Sequence, residues 1–448
     1  MPSLTERDKE VIWHPYTQHK NMLPPIAIAK GEGALLFDEN GNSYIDAISS
    51  WWVNIHGHAH PYIAEKIFEQ AKKLEHVIFT GFTHEPAVQL AERLLKILPG
   101  DFSKIFYSDN GSTAVEVAIK MAIQYWKNEE QGTRRKEQET RDKGQDASIH
   151  SPFTIHHSRS KILAFKNSYH GDTFGAMSVS ERSIFTFPFQ DYLFEVIFIE
   201  TPTDENMNDI KKTIREHQHE IAAFIYEPLL QGAGGMIMYE ASLLDQLISE
   251  AKSQNIICIA DEVLTGFGRT GKLFASDYLL QKPDVICLSK GLTGGTMALS
   301  ATAATQKIFD AFMSDDKTKT FFHGHSFTAN PIACAASLAS LDLLEKEDCK
   351  RNIERIIKQQ EEFCHQLQTT NDNLQIKNVR QSGTIIAFEI TDGNDGYLNN
   401  LSSIITKHAL QEGIYLRPLG NTVYIMPPYC ITEEQLNQVH EFLLNFLQ

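Results

Sequence analysis

Lys290 and Asp261 stand at the ends of two neighbouring apolar runs, which puts an amine and a carboxylate within reach of one pocket. The run Ile256–Ala260 is continuous and apolar, as expected of a parallel strand buried on both faces, and Asp261 follows it directly. Val285–Leu288 is a second such run, with Lys290 two residues beyond it in a loop that holds Gly291, Gly294 and Gly295. Ligands of open α/β sheets bind where strands of this kind end. A lysine there, shielded from water or beside other positive groups, has a lowered pKa and attacks carbonyls as a neutral amine. Pyridoxal phosphate needs both parts, a lysine to form the Schiff base and an acid to keep the pyridine nitrogen protonated so that the ring works as an electron sink. Taken alone, the pair is as easily a strand-end aspartate and a solvated lysine without chemistry.

The elements that would position the pair repeat the same strand-end logic. Ser108–Ala122 joins a strand to an amphipathic helix, with Val115, Ala118, Ile119 and Ala122 on one face. Gly111, Ser112 and Thr113 then lie at the helix N-terminus, where free N–H groups and the macrodipole attract a phosphate; simple capping by Ser112 is the alternative. Tyr169 follows the run Ile162–Phe165, where its ring could stack on a flat heteroaromatic cofactor, with His170 or Asp172 to orient it; a core tyrosine is the competing reading. Glu227, after the run Ile221–Tyr226, is a candidate pocket acid and Gln231 a candidate donor. His56, His58 and His60 alternate, but no further ligand pattern supports a metal, and none is expected.

Runs at Lys104–Ser108, Ile162–Phe165, Glu195–Ile199, Ile221–Tyr226, Ile256–Ala260 and Val285–Leu288 alternate with helical stretches, the pattern of a mainly parallel α/β sheet. The helical spacing of Leu338–Gln368 and the strand-like Ile385–Ile390 and Thr422–Met426 suggest a smaller α/β domain. We therefore expect residues 1–60 to join that small domain and the active site, 61–306 to form the large domain, 307–335 to form a segment for an interface and the phosphate, and 336–448 to complete the small domain. Asn128–Ser160 is highly charged with little to bury and reads as an exposed insertion.

At 448 residues the chain suits one large and one smaller domain. A net charge of −16 argues against a non-specific nucleic-acid partner. No stretch reaches the ~18 to 20 uninterrupted apolar residues of a membrane span, and the first residues lack a signal-peptide pattern, so a cytoplasmic protein is expected. The six cysteines show no Cys-x-x-Cys spacing and read as reduced thiols.

Together, Asp261-Glu-Val-Leu-Thr-Gly-Phe-Gly-Arg-Thr-Gly271 and Ser289-Lys-Gly291 resemble the class III pyridoxal-phosphate-dependent aminotransferases of fold type I, and the likeness runs over nearly the whole chain. The resemblance implies that Lys290 binds the cofactor covalently, Asp261 pairs with the pyridine nitrogen, Gly111 and Ser112 hold the phosphate and Tyr169 meets the ring. It also implies a homodimer, because Gly324, His325 and Ser326 resemble a segment that crosses between subunits, with the Ser326 hydroxyl reaching the phosphate held by the other chain. Trp13–Gln18, Ser49–Trp52, Thr293–Met297, Leu416–Gly420 and Tyr424–Pro428 are most similar to the branch of biotin synthesis that transfers the amino group of S-adenosyl-L-methionine to 8-amino-7-oxononanoate. On that resemblance Arg417 grips a substrate carboxylate, Trp51, Trp52 and Tyr169 form apolar walls, and the hydroxyls of Tyr16 and Tyr424 bind the donor. A branch that uses lysine as donor, and ω-amino-acid or diamine aminotransferases, are the alternatives; Tyr16 and the Trp51-Trp52 pair favour S-adenosylmethionine.

Overall fold

The computed structural model describes residues 2–142, 159–369, 375–391 and 400–448. Its main sheet has seven strands: β1 (Phe102–Ser108), β2 (Lys161–Phe165), β3 (Val196–Ile199), β4 (Ile221–Tyr226), β5 (Ile257–Asp261), β6 (Val285–Leu288) and β7 (Ser300–Thr305). Their order across the sheet is β1-β7-β6-β5-β4-β2-β3. Pairings from β3 to β6 are parallel, whereas β7 runs antiparallel to both β6 and β1. Six strands thus point their carboxyl ends to the same side. The centre is fully covered by helices, so every residue of β4, β5 and β6 is buried, and this is why those runs are apolar without alternation.

Each of the six apolar runs lies on a strand. Strand β7 was not anticipated, because Ser-Ala-Thr-Ala-Ala-Thr contains no bulky side chain. Its small residues allow the helix Gly111–Asp142 to approach closely, and the Thr302 hydroxyl donates to the Ala114 carbonyl at 3.0 Å.

The reading of Asn128–Ser160 as an exposed insertion needs correction at both ends. The helix begun at Gly111 continues to Asp142, and Asn128 is buried on it, donating to the Ala311 carbonyl and accepting from Lys319. At the other end Arg159 stacks on Trp126 at 4.3 Å and donates to the Gln254 carbonyl at 2.9 Å. The remainder of that stretch, 143–158, lies outside the described residues.

Ile376–Ser382, Ile385–Ile390 and Thr422–Ile425 form a separate antiparallel sheet. The helical segment expected at Leu338–Gln368 is two helices, Pro331–Leu344 and Glu347–Thr369. Near the N-terminus Ile28–Glu32, Leu35–Asp38 and Ser43–Asp46 form a sheet that Ile414–Tyr415 joins, parallel to Ser43–Asp46, so the two ends of the chain share one sheet. No helix among the described residues is long and apolar enough to cross a membrane.

Candidate active site

The carboxyl ends of the parallel strands open into a cavity of about 700 Å³. Gly111 and Ser112 reach it from β1, Tyr169 and His170 from β2, Glu227 from β4, Asp261 from β5 and Lys290 from β6. These strand-end residues, up to 179 positions apart in sequence, meet there because the sheet places the ends of its parallel strands side by side.

Lys290 begins a short 3-10 turn with φ +47, an uncommon conformation for a residue with a side chain, and its ammonium lies 4.7 Å above the Trp52 ring. Burial lowers its pKa to about 8, against the opposing pull of the Asp261 and Glu227 carboxylates. Asp261 is buried and fixed from two sides: one oxygen accepts from the Val263 amide at 3.1 Å and the other lies 2.7 Å from His170 Nδ1. Glu227 accepts from the amides of Tyr169 (3.1 Å) and Gly232 (3.0 Å), and burial raises its carboxyl to about pKa 7. Gln231, expected as a pocket donor, instead turns away to the Lys166 carbonyl and the Thr201 hydroxyl, both structural contacts.

At the helix N-terminus the cap is Asn110, whose side chain accepts from the Thr113 amide at 3.1 Å. Ser112 is not the cap; its hydroxyl accepts from the Asp172 amide at 3.2 Å. Gly111 and Ser112 line the cavity, and as the first residues of the helix their amides have no acceptor within it, which suits an anion. The backbone approaches closely here. A side chain at Gly111 would place its first carbon 2.7 Å from Val263, and one at Gly171, which has φ +132, would fall 2.1 Å from the Ser112 hydroxyl. A buried carboxylate, a partly neutral lysine and an anion cradle around one cavity fit a flat, phosphorylated, aldehyde-bearing ring.

The double tryptophan sits on a strained turn. Ser49, Ser50 and Trp52 all have positive φ (53, 60 and 66), a cost that surrounding contacts must offset. Asp46, fully buried, accepts from the Ser50 amide at 2.6 Å and from its hydroxyl, and pairs with His58 at 2.9 Å. The fully buried Arg269 donates to the carbonyls of Pro427 (2.8 Å) and Trp52 (3.5 Å), and the Ser49 hydroxyl donates to Met426. Trp52 is thereby buried and donates its indole N–H to the Tyr424 hydroxyl at 2.9 Å, whereas Trp51 is 41% exposed beneath Arg417, whose guanidinium lies 4.5 Å over the ring. Tyr16 packs edge-on against Trp51 and donates to Asp172 at 2.5 Å, with the Tyr169 hydroxyl 3.4 Å away. Tyr169 is a wall of the cavity and not a core residue.

The structure therefore brings Lys290, Asp261, Gly111, Ser112, Tyr169 and Trp52 to one cavity, with Tyr16 and Tyr424 one contact further out, Trp51 packed on Tyr16 and Arg417 over Trp51 beyond them. Gly324, His325 and Ser326 do not line it, and Ser326 is exposed. The alternating histidines go to separate contacts, His56 to Ser340 and His58 to Asp46. Sequence reasoning assigned no role to Asp46 or Arg269. Arg269 lies within the glycine-rich motif, but nothing in either residue's spacing points to Trp52.

The model of the class III aminotransferase family matches residues 16–447. The adenosylmethionine-8-amino-7-oxononanoate aminotransferase of Synechococcus elongatus is 44% identical over 447 residues, covering 97% of this chain and 98% of that protein. The crystal structure of the enzyme of that name from Methanocaldococcus jannaschii is similar with a TM-score of 0.88 and 35% identity, covering 99% and 98% of the two chains. An amine transaminase from an uncultivated Pseudomonas species, solved in its pyridoxal-phosphate-bound form, is similar with a TM-score of 0.85 and 28% identity over 98% of each chain. With this site on a mainly parallel sheet and a family match over almost its whole length, the chain belongs to the class III aminotransferases, enzymes that depend on pyridoxal phosphate.

Proposed function

We propose that this chain transfers the amino group of S-adenosyl-L-methionine to 8-amino-7-oxononanoate, giving 7,8-diaminononanoate for biotin biosynthesis. The observation that carries the reading is the 44% likeness over nearly the full length to a relative of that name. The placement of Trp52 beside Lys290, with Tyr424 on the Trp52 indole and Arg417 over the neighbouring Trp51, supports it.

Bound pyridoxal phosphate supplies an electron sink that makes the carbon next to the amine acidic. Gly111 and Ser112 would hold the phosphate through their amides, and the Asp261 carboxylate, held by His170 and Val263, would keep the pyridine nitrogen protonated. Lys290 Nζ takes the proton from the donor's α-carbon, and in the second half-reaction delivers one to the carbon that was the acceptor's ketone. Arg417 binds the carboxylate of each substrate in turn. Trp52 covers Lys290 and limits water at that nitrogen.

Purified holoenzyme incubated with both substrates, with mass detection of the diamine, tests the reading. Product with lysine as donor and none with S-adenosylmethionine would replace it with the lysine-using alternative.

Lysine must be neutral to attack an aldehyde. At a pKa of about 8 roughly one Lys290 in ten is neutral at pH 7, against about one in three thousand at the ordinary lysine value. Reconstitution of cofactor-free protein, followed by visible absorbance, should speed up as pH rises and level off above pH 8; a rate still climbing at pH 10 would show an unshifted lysine.

Arg417 is only half-buried, so truncation should cost near the lower end of the ~2 to 5 kcal/mol seen for charge pairs that lose a partner. Arg417→Ala should raise KM for 8-amino-7-oxononanoate roughly 30-fold, by the same arithmetic. Unchanged steady-state kinetics for both substrates would remove Arg417 from the site.

Ser326 lies outside this chain's own cavity, so it serves the phosphate only across a dimer interface. Light scattering at assay concentration should give the mass of at least two chains, and a fully active monomer would contradict that role.

A further inference from the structure

Asp46 is a fully buried carboxylate that takes no part in the chemistry assigned above, yet four donors converge on it. One oxygen accepts from the Ile48 amide at 3.3 Å, the other from the Ser50 amide (2.6 Å), the Ser50 hydroxyl (3.1 Å) and His58 Nε2 (2.9 Å). A carboxylate only accepts, so Nε2 carries a proton, and the second ring nitrogen lies 3.0 Å from the Asn54 side-chain amide. His58 is tightly seated. Its backbone N–H donates to the Gly33 carbonyl at 2.7 Å, and a side chain at Gly31 would place its first carbon 2.5 Å from His58 Cβ.

We propose that Asp46 and His58 are a pair of positioning residues for the reaction: they fix the turn that keeps the Trp52 indole over Lys290, and so govern how well water is kept from that nitrogen. The inference rests on Lys290 as the lysine that binds the cofactor. Ser50 has φ 60 and ψ −87, outside even the left-handed helical region, and both of its donors go to Asp46. Such a conformation persists only where contacts over-determine it. Trp52 follows two residues later, with its ring 4.7 Å from Lys290 Nζ. Beyond the turn its indole is tied to Tyr424, but its carbonyl meets Arg269 only at 3.5 Å, the long end of a hydrogen bond. Asp46 supplies the short contacts on the side that precedes the ring. Without the imidazole its carboxylate is one donor short and can regain one by turning to water admitted in that space, which takes the anchor from Ser50.

The consequence reaches Lys290 through solvent. Three charged groups face it, Asp261 from β5, Glu227 beyond β4 and Arg269 from the loop after β5, and all three remain in the variants below. Burial outweighs their influence and lowers the pKa on balance, although an indole face by itself favours the ammonium. Water admitted beside Trp52 therefore raises Lys290 toward the ordinary lysine value.

The test is reconstitution of cofactor-free protein with pyridoxal phosphate, followed by visible absorbance as a function of pH. In His58→Ala the rate at pH 7 should fall about tenfold and level off about one pH unit higher than in the wild type, because each unit of pKa changes the neutral fraction of the lysine tenfold. His58→Gln, whose amide can donate to the same oxygen, should restore the wild-type profile. A pair that served the fold alone would lower the melting temperature and leave the level-off pH where it was. Should His58→Ala fail to fold, Ser50→Ala removes another donor from the same carboxylate and should move the profile in the same direction. A wild-type pH profile in folded His58→Ala or, in its place, Ser50→Ala would overturn the proposal, as would a shift that His58→Gln does not reverse. Failure of the premise shows separately, as a wild-type spectrum in Lys290→Ala.

Discussion

Replacing Lys290 by alanine should abolish the visible absorbance of lysine-bound pyridoxal phosphate and lower turnover by about 10⁴-fold or more, beyond the upper end of what one proton-transfer group contributes. The size of the effect follows from position. Lys290 is the lysine that lines the cavity, held over Trp52 by a turn with positive φ, and burial lowers its pKa to about 8. One side chain thus both attaches the cofactor and moves the proton, and losing it removes two functions at once. The cofactor should still bind through its phosphate and ring nitrogen, so dialysis of the variant should release it far more readily than from the wild type. A variant with the wild-type spectrum would show that another lysine holds the cofactor.

Asp261→Asn should separate binding from rate. The amide keeps the shape and can still bond to the Val263 amide, so the visible absorbance of the bound cofactor should persist. It cannot hold the pyridine nitrogen protonated, and turnover should fall roughly 10²- to 10³-fold, the usual cost of removing one preorganised electrostatic partner. His170 lies 2.7 Å from the other carboxylate oxygen, so the variant also replaces a charge-assisted contact by a neutral one. Single-turnover measurements should show the loss in both half-reactions, because the electron sink serves both. A loss confined to one half-reaction would point to a substrate-binding role, and near-normal turnover would remove Asp261 from the chemistry.

The charged stretch at Asn128–Ser160 shows where composition misleads. Its polarity is genuine, yet Asn128 and Arg159 at its two ends are packed against other elements. A polar side chain that finds carbonyls to bond is as compatible with burial as an apolar one, and composition does not report whether such partners are near. The opposite error occurred at β7, where small residues hid a buried strand because the adjacent helix left no space for large ones.

By itself the sequence determined the six apolar strands, the helix N-terminus at Gly111 and Ser112, and the strand-end positions of Asp261, Lys290 and Tyr169. These are local properties: burial on both faces of a parallel sheet demands continuous apolar runs, and the residue that follows each run lies at the ligand-binding end. Only the tertiary structure decided which polar groups meet. The pairing of His170 with Asp261 depends on β2 and β5 lying on either side of β4, and nothing in either segment specifies that order. Likewise, the left-handed turn that presents Trp51 and Trp52 is held by Asp46, His58 and Arg269, the last of them 217 positions from the Trp52 carbonyl it binds. Such contacts arise when separate elements pack. Their energy depends on distance in space, to which spacing along the chain is blind.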